Sequence, residues 1–212
     1  MGYTFYHGTS DIFLDSIKCS GLGGVNPNED YKLLEILRYL FSISEKFLLD
    51  DERYLIIRST TNSMANQSVI NYQSSSGVQR LNFEHGHTYV SCQYDRALLY
   101  SKNEYGSEIL TRIIQLYRLL KTNNHNFSIP NELDIIEIDK ISKRVTKSVL
   151  ITLENIQPHE LLTEFGDKSD SIIDKIFKND GLYSEQWVNQ NGNFRLVNQI
   201  EKNRLRIHLF QR

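Results

Sequence analysis

The first residues with chemistry in them are Tyr6-His7-Gly8-Thr9-Ser10. The aromatic run Tyr3, Phe5 and Tyr6 reads as a strand and delivers an imidazole beside a glycine, where a ligand can come close to the backbone. A short amphipathic segment follows, with Ile12, Phe13, Ser16 and Ile17 at helical spacing, and stops at Gly21-Leu22, as helix C-termini favour glycine. The second segment is Thr88 to Tyr100, in which Tyr89 lies on a strand and Tyr100 follows eleven residues later on a helix that also carries Ala97. The third is Glu185-Gln186-Trp187-Val188, a carboxylate opening a late strand after the Asn179-Asp180-Gly181 turn. Glu201, in a turn between strands, and Glu154 are the rival carboxylates.

Other chemistries find less support. His85 and His87 have metal-ligand spacing, but no further Cys or His lies nearby to complete a site, and they read as loop residues. Gly21-Leu22-Gly23-Gly24 follows a helix rather than a strand and is too short for a phosphate-cradling loop. The sequence has no Gly-x-Ser-x-Gly and no protease signature around a cysteine. The mildly basic C-terminus, Arg204, Arg206, His208 and Arg212, reads as a solvated strand face.

The elements that position these residues read as follows. Strands are expected at 3–7, Thr88 to Cys92, Leu133 to Ile138, Ser148 to Leu153, Gln186 to Val188, Phe194 to Ile200 and Leu205 to Phe210. Helices are expected at 10–20, Tyr31 to Leu49, Gln93 to Lys102, Ile109 to Leu120 and Ser171 to Phe177, with a short turn of helix at His159 to Leu162. Residues 23–30 carry breaker chemistry and read as a loop. Asp51 to Ile57 reads as a short helix or the start of a strand. Residues 59–80, rich in Ser, Asn, Gln and Thr, read as a long polar loop or loose insert, and 123–131 as a polar connection.

The length of 212 residues suits one domain, or one domain with an insertion. The formal net charge of −2 provides no global basic field to draw the chain to nucleic acid or a membrane. Cys19 and Cys92 are the only cysteines, so a disulfide framework is not expected and a reducing cytoplasm is. No apolar run is long enough to span a bilayer, and no signal peptide is read at the N-terminus.

In order and spacing, the three segments resemble the signatures of the ADP-ribosyltransferase superfamily. The branch is the H-Y-E one that includes the poly-ADP-ribose polymerase catalytic domain and diphtheria-like toxins. Its first motif reads strand, His-Gly-Ser/Thr, helix, Gly-Leu, matched here by His7-Gly8-Thr9 and Gly21-Leu22 at the family interval. Its second places a strand tyrosine one helical segment before another, as Tyr89 and Tyr100 stand. Its third is a glutamate at the start of a late strand, the place read for Glu185. One departure is Ala97, where the polymerase branch has a serine that bonds the nicotinamide amide. Ser91, Ser101 or the backbone of Gly8 are the substitutes, and the chain falls outside that branch.

The resemblance implies an α+β fold with an ADP-ribosyltransferase-like core of two packed small β-sheets flanked by helices. This would be a single domain over 1–212, with a helical and polar insertion at about 31–80. It implies a mono-ADP-ribosyltransferase that takes NAD as substrate, needs no metal, releases nicotinamide and places ADP-ribose on a macromolecule. His7 would hold the adenosine-side ribose hydroxyl, with Gly8 and Thr9 beside it; the Gly8 backbone would bond the nicotinamide amide. Tyr89 and Tyr100 would stack the flat cationic ring. Glu185 would stabilise the oxocarbenium-like state and take the nucleophile's proton. The small format resembles bacterial toxin–antitoxin and phage-defence transferases acting in the cytoplasm, with no membrane partner. The acceptor could be RNA, DNA or protein, and an antitoxin or inhibitor protein is the partner this format brings. Residues 59–80 and the loop from Phe177 to Ser184, with Tyr183 as its aromatic, are where the acceptor is expected to be read. The alternatives are a catalytically inactive module of the same fold and an NAD-dependent RNA 2′-phosphotransferase. The latter relies on basic residues at the phosphate, against which the net charge and the late glutamate speak.

Overall fold

A computed structural model describes residues 2–74, 77–123, 127–178 and 182–211. In chain order the strands are β1 (Tyr3–Ser10), β2 (Val69–Ser74), β3 (Gly77–Asn82), β4 (Tyr89–Ser91), β5 (Ser148–Ile156), β6 (Leu161–Thr163), β7 (Asn193–Leu196) and β8 (Leu205–Phe210). The helices are α1 (Leu14–Ser20), α2 (Pro27–Asp30), α3 (Leu33–Phe47), α4 (Glu52–Ala65), α5 (Tyr94–Ser101), α6 (Glu108–Thr122), α7 (Ile138–Lys143), α8 (Asp170–Phe177) and α9 (Glu185–Asn191). The fold is mixed α+β, with a six-stranded and a two-stranded antiparallel sheet flanked by helices.

The chain forms two compact units. The first takes Met1–Val25, His87–Ser107 and Thr146–Arg212. It holds the six-stranded sheet in the order β6-β7-β4-β1-β5-β8, every pairing antiparallel. Its core forms because alternate residues of the central strands are apolar. Phe5, Val90, Ile151, Leu153 and Phe194 are buried, and the Phe5 and Phe194 rings meet edge to face at 5.4 Å. Phe177 of α8 packs on Tyr3 and Phe5. β5 is buried along nearly its whole length, as a strand covered on both faces must be.

The second unit takes Asn26–Gly86 and Glu108–Val145. The stretch marked in the sequence as an insertion, 31–80, lies within it. Leu33, Ile36, Leu37 and Leu40 of α3, and Leu110, Ile113, Ile114 and Leu120 of α6, recur at helical spacing and are all buried, giving each helix one apolar face. Tyr54 of α4 is fully buried, with its hydroxyl donating to Glu45, which Arg58 also engages. The hairpin of β2 and β3 runs in register from Val69↔Asn82 to Ser74↔Gly77.

Several elements differ from expectation, each for a local reason. Residues 59–65 continue helix α4, capped by Asp51, whose side chain accepts from the Arg53 N–H; the hairpin then follows, so 59–80 is not one polar loop. Residues 27–30 make one turn of helix because Asn26 caps it and Pro27 stands where a missing N–H costs nothing. The strand expected at 133–138 is instead a turn into α7, whose first N–H is taken by the Asp134 side chain. The strand expected at 186–188 is helix α9, because Ser184 caps it by accepting from the Trp187 N–H and Glu185 stands in its first turn.

Candidate functional site

The strands of the first unit bring the two leading motifs together. β1 pairs with β5 from Tyr3↔Ile156 to Ser10↔Ser148, but with β4 only at Tyr6↔Ser91. Just past that single pair the His7 side chain reaches across, its Nδ1 lying 2.7 Å from the Tyr89 carbonyl oxygen. A carbonyl only accepts, so Nδ1 carries the proton and neutral His7 presents Nε2 as an acceptor. No described residue bonds Nε2. Burial lowers the His7 pKa, partly opposed by the bond to the Tyr89 carbonyl, and this favours the neutral form.

Gly8 is glycine for a reason the sequence did not show. It shares a sheet face with Tyr6, and α5 lies on that face, with Tyr94 edge-on to Tyr6 at 5.5 Å. A Cβ on Gly8 would stand 1.9 Å from the Ala97 carbonyl oxygen and 2.6 Å from the Ser101 nitrogen. The close approach is that of a helix backbone. Thr9 is buried and donates to the Gly106 carbonyl at 3.3 Å, so its hydroxyl serves the fold. Tyr100 is exposed on the last turn of α5. Ala97 is buried, and the two serines weighed as its substitutes have local work: Ser91 Oγ accepts from the Gln93 N–H, and Ser101 Oγ donates to the Leu98 carbonyl.

Tyr89 is half-buried and stands directly across from Arg195 of β7. Its ring meets that of His87 edge-on, with centroids 6.3 Å apart. His87 Nε2 accepts from Arg195 Nη1 at 3.1 Å. A Cβ on Gly166 would fall 2.5 Å from Arg195 Nη2, so the guanidinium lies against that glycine, whose φ is +93°. His85, in the second unit, is half-buried, its Nε2 without a hydrogen-bond partner among the described residues and its pKa pushed down to about 4 by burial. Among the described residues no group of three or more His, Cys, Asp or Glu stands ready to hold a metal ion.

Glu185 is exposed at the first position of α9 rather than at the start of a strand. The late strand beside Tyr89 is β7, which opens with Asn193 opposite Ser91. Asn193 Nδ2 donates to Glu164 Oε2 at 3.2 Å, so the turn after β6 brings a carboxylate to the head of β7. Glu164 and Arg195 had no local motif to mark them in the sequence. Of the rival carboxylates, Glu154 pairs with Arg206 at 2.6 Å. Glu201 is exposed on the rim of a shallow depression shared with Ser20, Gly21, Gln199, Lys202 and Asn203. Tyr183 stacks on Trp187 with centroids 4.4 Å apart; residues 179–181, in the loop read as facing the acceptor, lie outside the described residues. Among the described residues no helix is long and apolar enough to cross a membrane.

Compared with models of protein families, with curated proteins and with solved structures, the chain matches none.

Proposed function

We propose that the chain is an NAD-consuming mono-ADP-ribosyltransferase acting on a macromolecular acceptor. The observation that carries the reading is the bond between His7 Nδ1 and the Tyr89 carbonyl where β1 and β4 stop pairing. It joins the first two motifs across 82 residues and leaves an imidazole acceptor suited to a ribose hydroxyl. Tyr89 and Tyr100 supply aromatic faces for a flat cationic ring.

The chemistry asks for one carboxylate. The bond between nicotinamide and ribose breaks, nicotinamide leaves with the electron pair, and an acceptor atom bonds to the ribose carbon. The carboxylate stabilises the cation between these events and receives the acceptor's proton. Glu185 fills this role from a helix start. Glu164, tied to the head of β7 through Asn193, competes for it.

The test is transfer of label from adenine-labelled NAD to cell-lysate protein, DNA and RNA offered separately, with wild type, Glu185→Gln and Glu164→Gln. Label on one acceptor class, lost in one variant, is expected, and it names acceptor and carboxylate together. Absence of both label and nicotinamide release from wild type would overturn the proposal.

A further inference from the structure

We propose that Arg195, oriented by His87, is a subsite for phosphate oxygens, and that it holds the diphosphate of the nucleotide whose flat ring lies at Tyr89. The second half of this statement rests on the reading of the chain as an NAD-consuming transferase; the first does not.

Arg195 is half-buried on β7, with its guanidinium bonded to His87 at the exposed end of the side chain. Among the described residues Arg195 makes no ion pair. Its bond is to His87 Nε2 at 3.1 Å, which must be an unprotonated acceptor to take an Arg N–H. That bond fixes the plane of the guanidinium without neutralising it. Gly166 closes the other side, leaving no room for a Cβ. The rest of the planar donor fork remains for a ligand, and a fixed fork matches the oxygens of a phosphate two at a time. The turn over Arg195 also carries Glu164 and Asp167. Glu164 is engaged by Asn193 Nδ2, Asp167 is exposed, and neither pairs with the guanidinium.

The position on the sheet names the ligand. Arg195 is the direct cross-strand neighbour of Tyr89, and facing side chains on an antiparallel pair stand about 5 Å apart at Cβ. An aromatic face beside an oriented cation suits a ring and a phosphate of one small molecule. The same oxygens could come from a 2′-phosphate on RNA, so the experiment carries both sources.

Binding to the full chain would be measured by calorimetry for inorganic pyrophosphate, NAD, nicotinamide riboside (the ring without phosphate), and an RNA oligonucleotide with and without a 2′-phosphate. The proteins are wild type, Arg195→Met, Arg195→Lys and Gly166→Ala, each checked by thermal melting. Pyrophosphate is expected to bind wild type and compete with NAD. Arg195→Met should weaken both by about tenfold or more and leave nicotinamide riboside unchanged. Arg195→Lys should recover part of the loss, since charge returns without the fork. If Arg195→Met does not fold, Gly166→Ala carries the test, because it displaces the guanidinium without removing it. Pyrophosphate binding that is absent, or equal in wild type and variants, overturns the subsite. NAD binding unaffected by Arg195→Met overturns the diphosphate assignment while the transferase reading stands. Arg195-dependent pyrophosphate binding without NAD binding overturns the transferase reading and the diphosphate assignment while the phosphate subsite stands, and a preference for the 2′-phosphorylated RNA then identifies the source.

Discussion

Replacing Gly8 by alanine separates two reasons for a glycine in the first motif. The resemblance assigns Gly8 to a ligand; the structure assigns it to α5. The added Cβ would meet the Ala97 carbonyl oxygen at 1.9 Å and the Ser101 nitrogen at 2.6 Å, whereas real Cβ contacts essentially never fall below 3.0 Å. Both obstacles are helix backbone and cannot rotate aside, so α5 must withdraw by about 1 Å. Ala97 and Ser101 are almost fully buried on that helix, so the withdrawal loosens their packing too. Overpacking costs about 1–3 kcal/mol, and an obstacle made only of backbone puts this site at or above about 3 kcal/mol. Trp187 is the only tryptophan and lies in the same unit, so its fluorescence during urea unfolding reports on this unit. The midpoint should fall with little change in slope. Gly23→Ala is the control: its Cβ would have 3.5 Å of clearance, but the φ of +82° strains an L-residue, so it should cost about 1 kcal/mol. A Gly8→Ala protein as stable as wild type, yet unable to bind NAD, would refute the packing argument and return Gly8 to the ligand.

Four further outcomes are expected. Ser184→Ala removes the cap of α9 and should cost about 1 kcal/mol, seen as faster amide exchange over 185–191; unchanged exchange would mean the cap is idle. Stability of the second unit should decline as pH falls from about 6.5, where an unfolded histidine begins to take up a proton, toward about 4, where half-buried His85 does so; His85→Gln should flatten that slope, and a slope left intact would clear His85. Glu160→Gln breaks a two-bond pair with Arg204 and should cost no more than about 1 kcal/mol after solvent screening. Arg204 holds the Glu160 carboxyl below its usual range, so that contribution is complete above about pH 4.5 and disappears as pH falls further; equal acid sensitivity of variant and wild type would contradict it. Tyr117, pushed up to about 12 by burial and then by Asp139, should be missing from the tyrosinate absorbance that develops up to pH 11, so Tyr117→Phe should leave that curve unchanged.

What was legible in the chain followed pattern strength. α3 and α6 stood out because their apolar residues recur every three or four positions without interruption, and β5 because a run such as Val149 to Leu153 suits a strand buried on both faces. α4 was hidden because the residues it buries include Thr61 and Ser63, whose polarity mimics a loop. α9 was hidden because Trp187 and Val188 are strand-prone, while the deciding contact is one serine oxygen on one N–H. At the site, His7, Gly8 and Tyr89 were visible as residue types at fixed spacing. Arg195 and Glu164 were not, and His87 read only as a loop residue, because each acquires its meaning from a partner far along the chain: His87 lies 108 residues from Arg195, and Glu164 lies 29 from Asn193.

The location of the candidate site follows from where the sheet fails to complete itself. β1 pairs with β5 from Tyr3 to Ser10, with an irregularity between Tyr3 and Phe5, and with β4 by one registered pair, so the ladder on the β4 side is short. A carbonyl inside a sheet costs free energy unless a donor reaches it, and the His7 imidazole reaches the Tyr89 carbonyl. His7 therefore has two duties that a single substitution can part. Asparagine can keep a donor near the Tyr89 carbonyl but offers no second nitrogen at the same reach, so His7→Asn should retain most of the stability and lose the ligand. Alanine gives up both, and losing the bond to the Tyr89 carbonyl should cost about 1 kcal/mol. Equal ligand affinity in wild type and His7→Asn would mean that the imidazole only bonds the Tyr89 carbonyl and that the chemistry lies elsewhere.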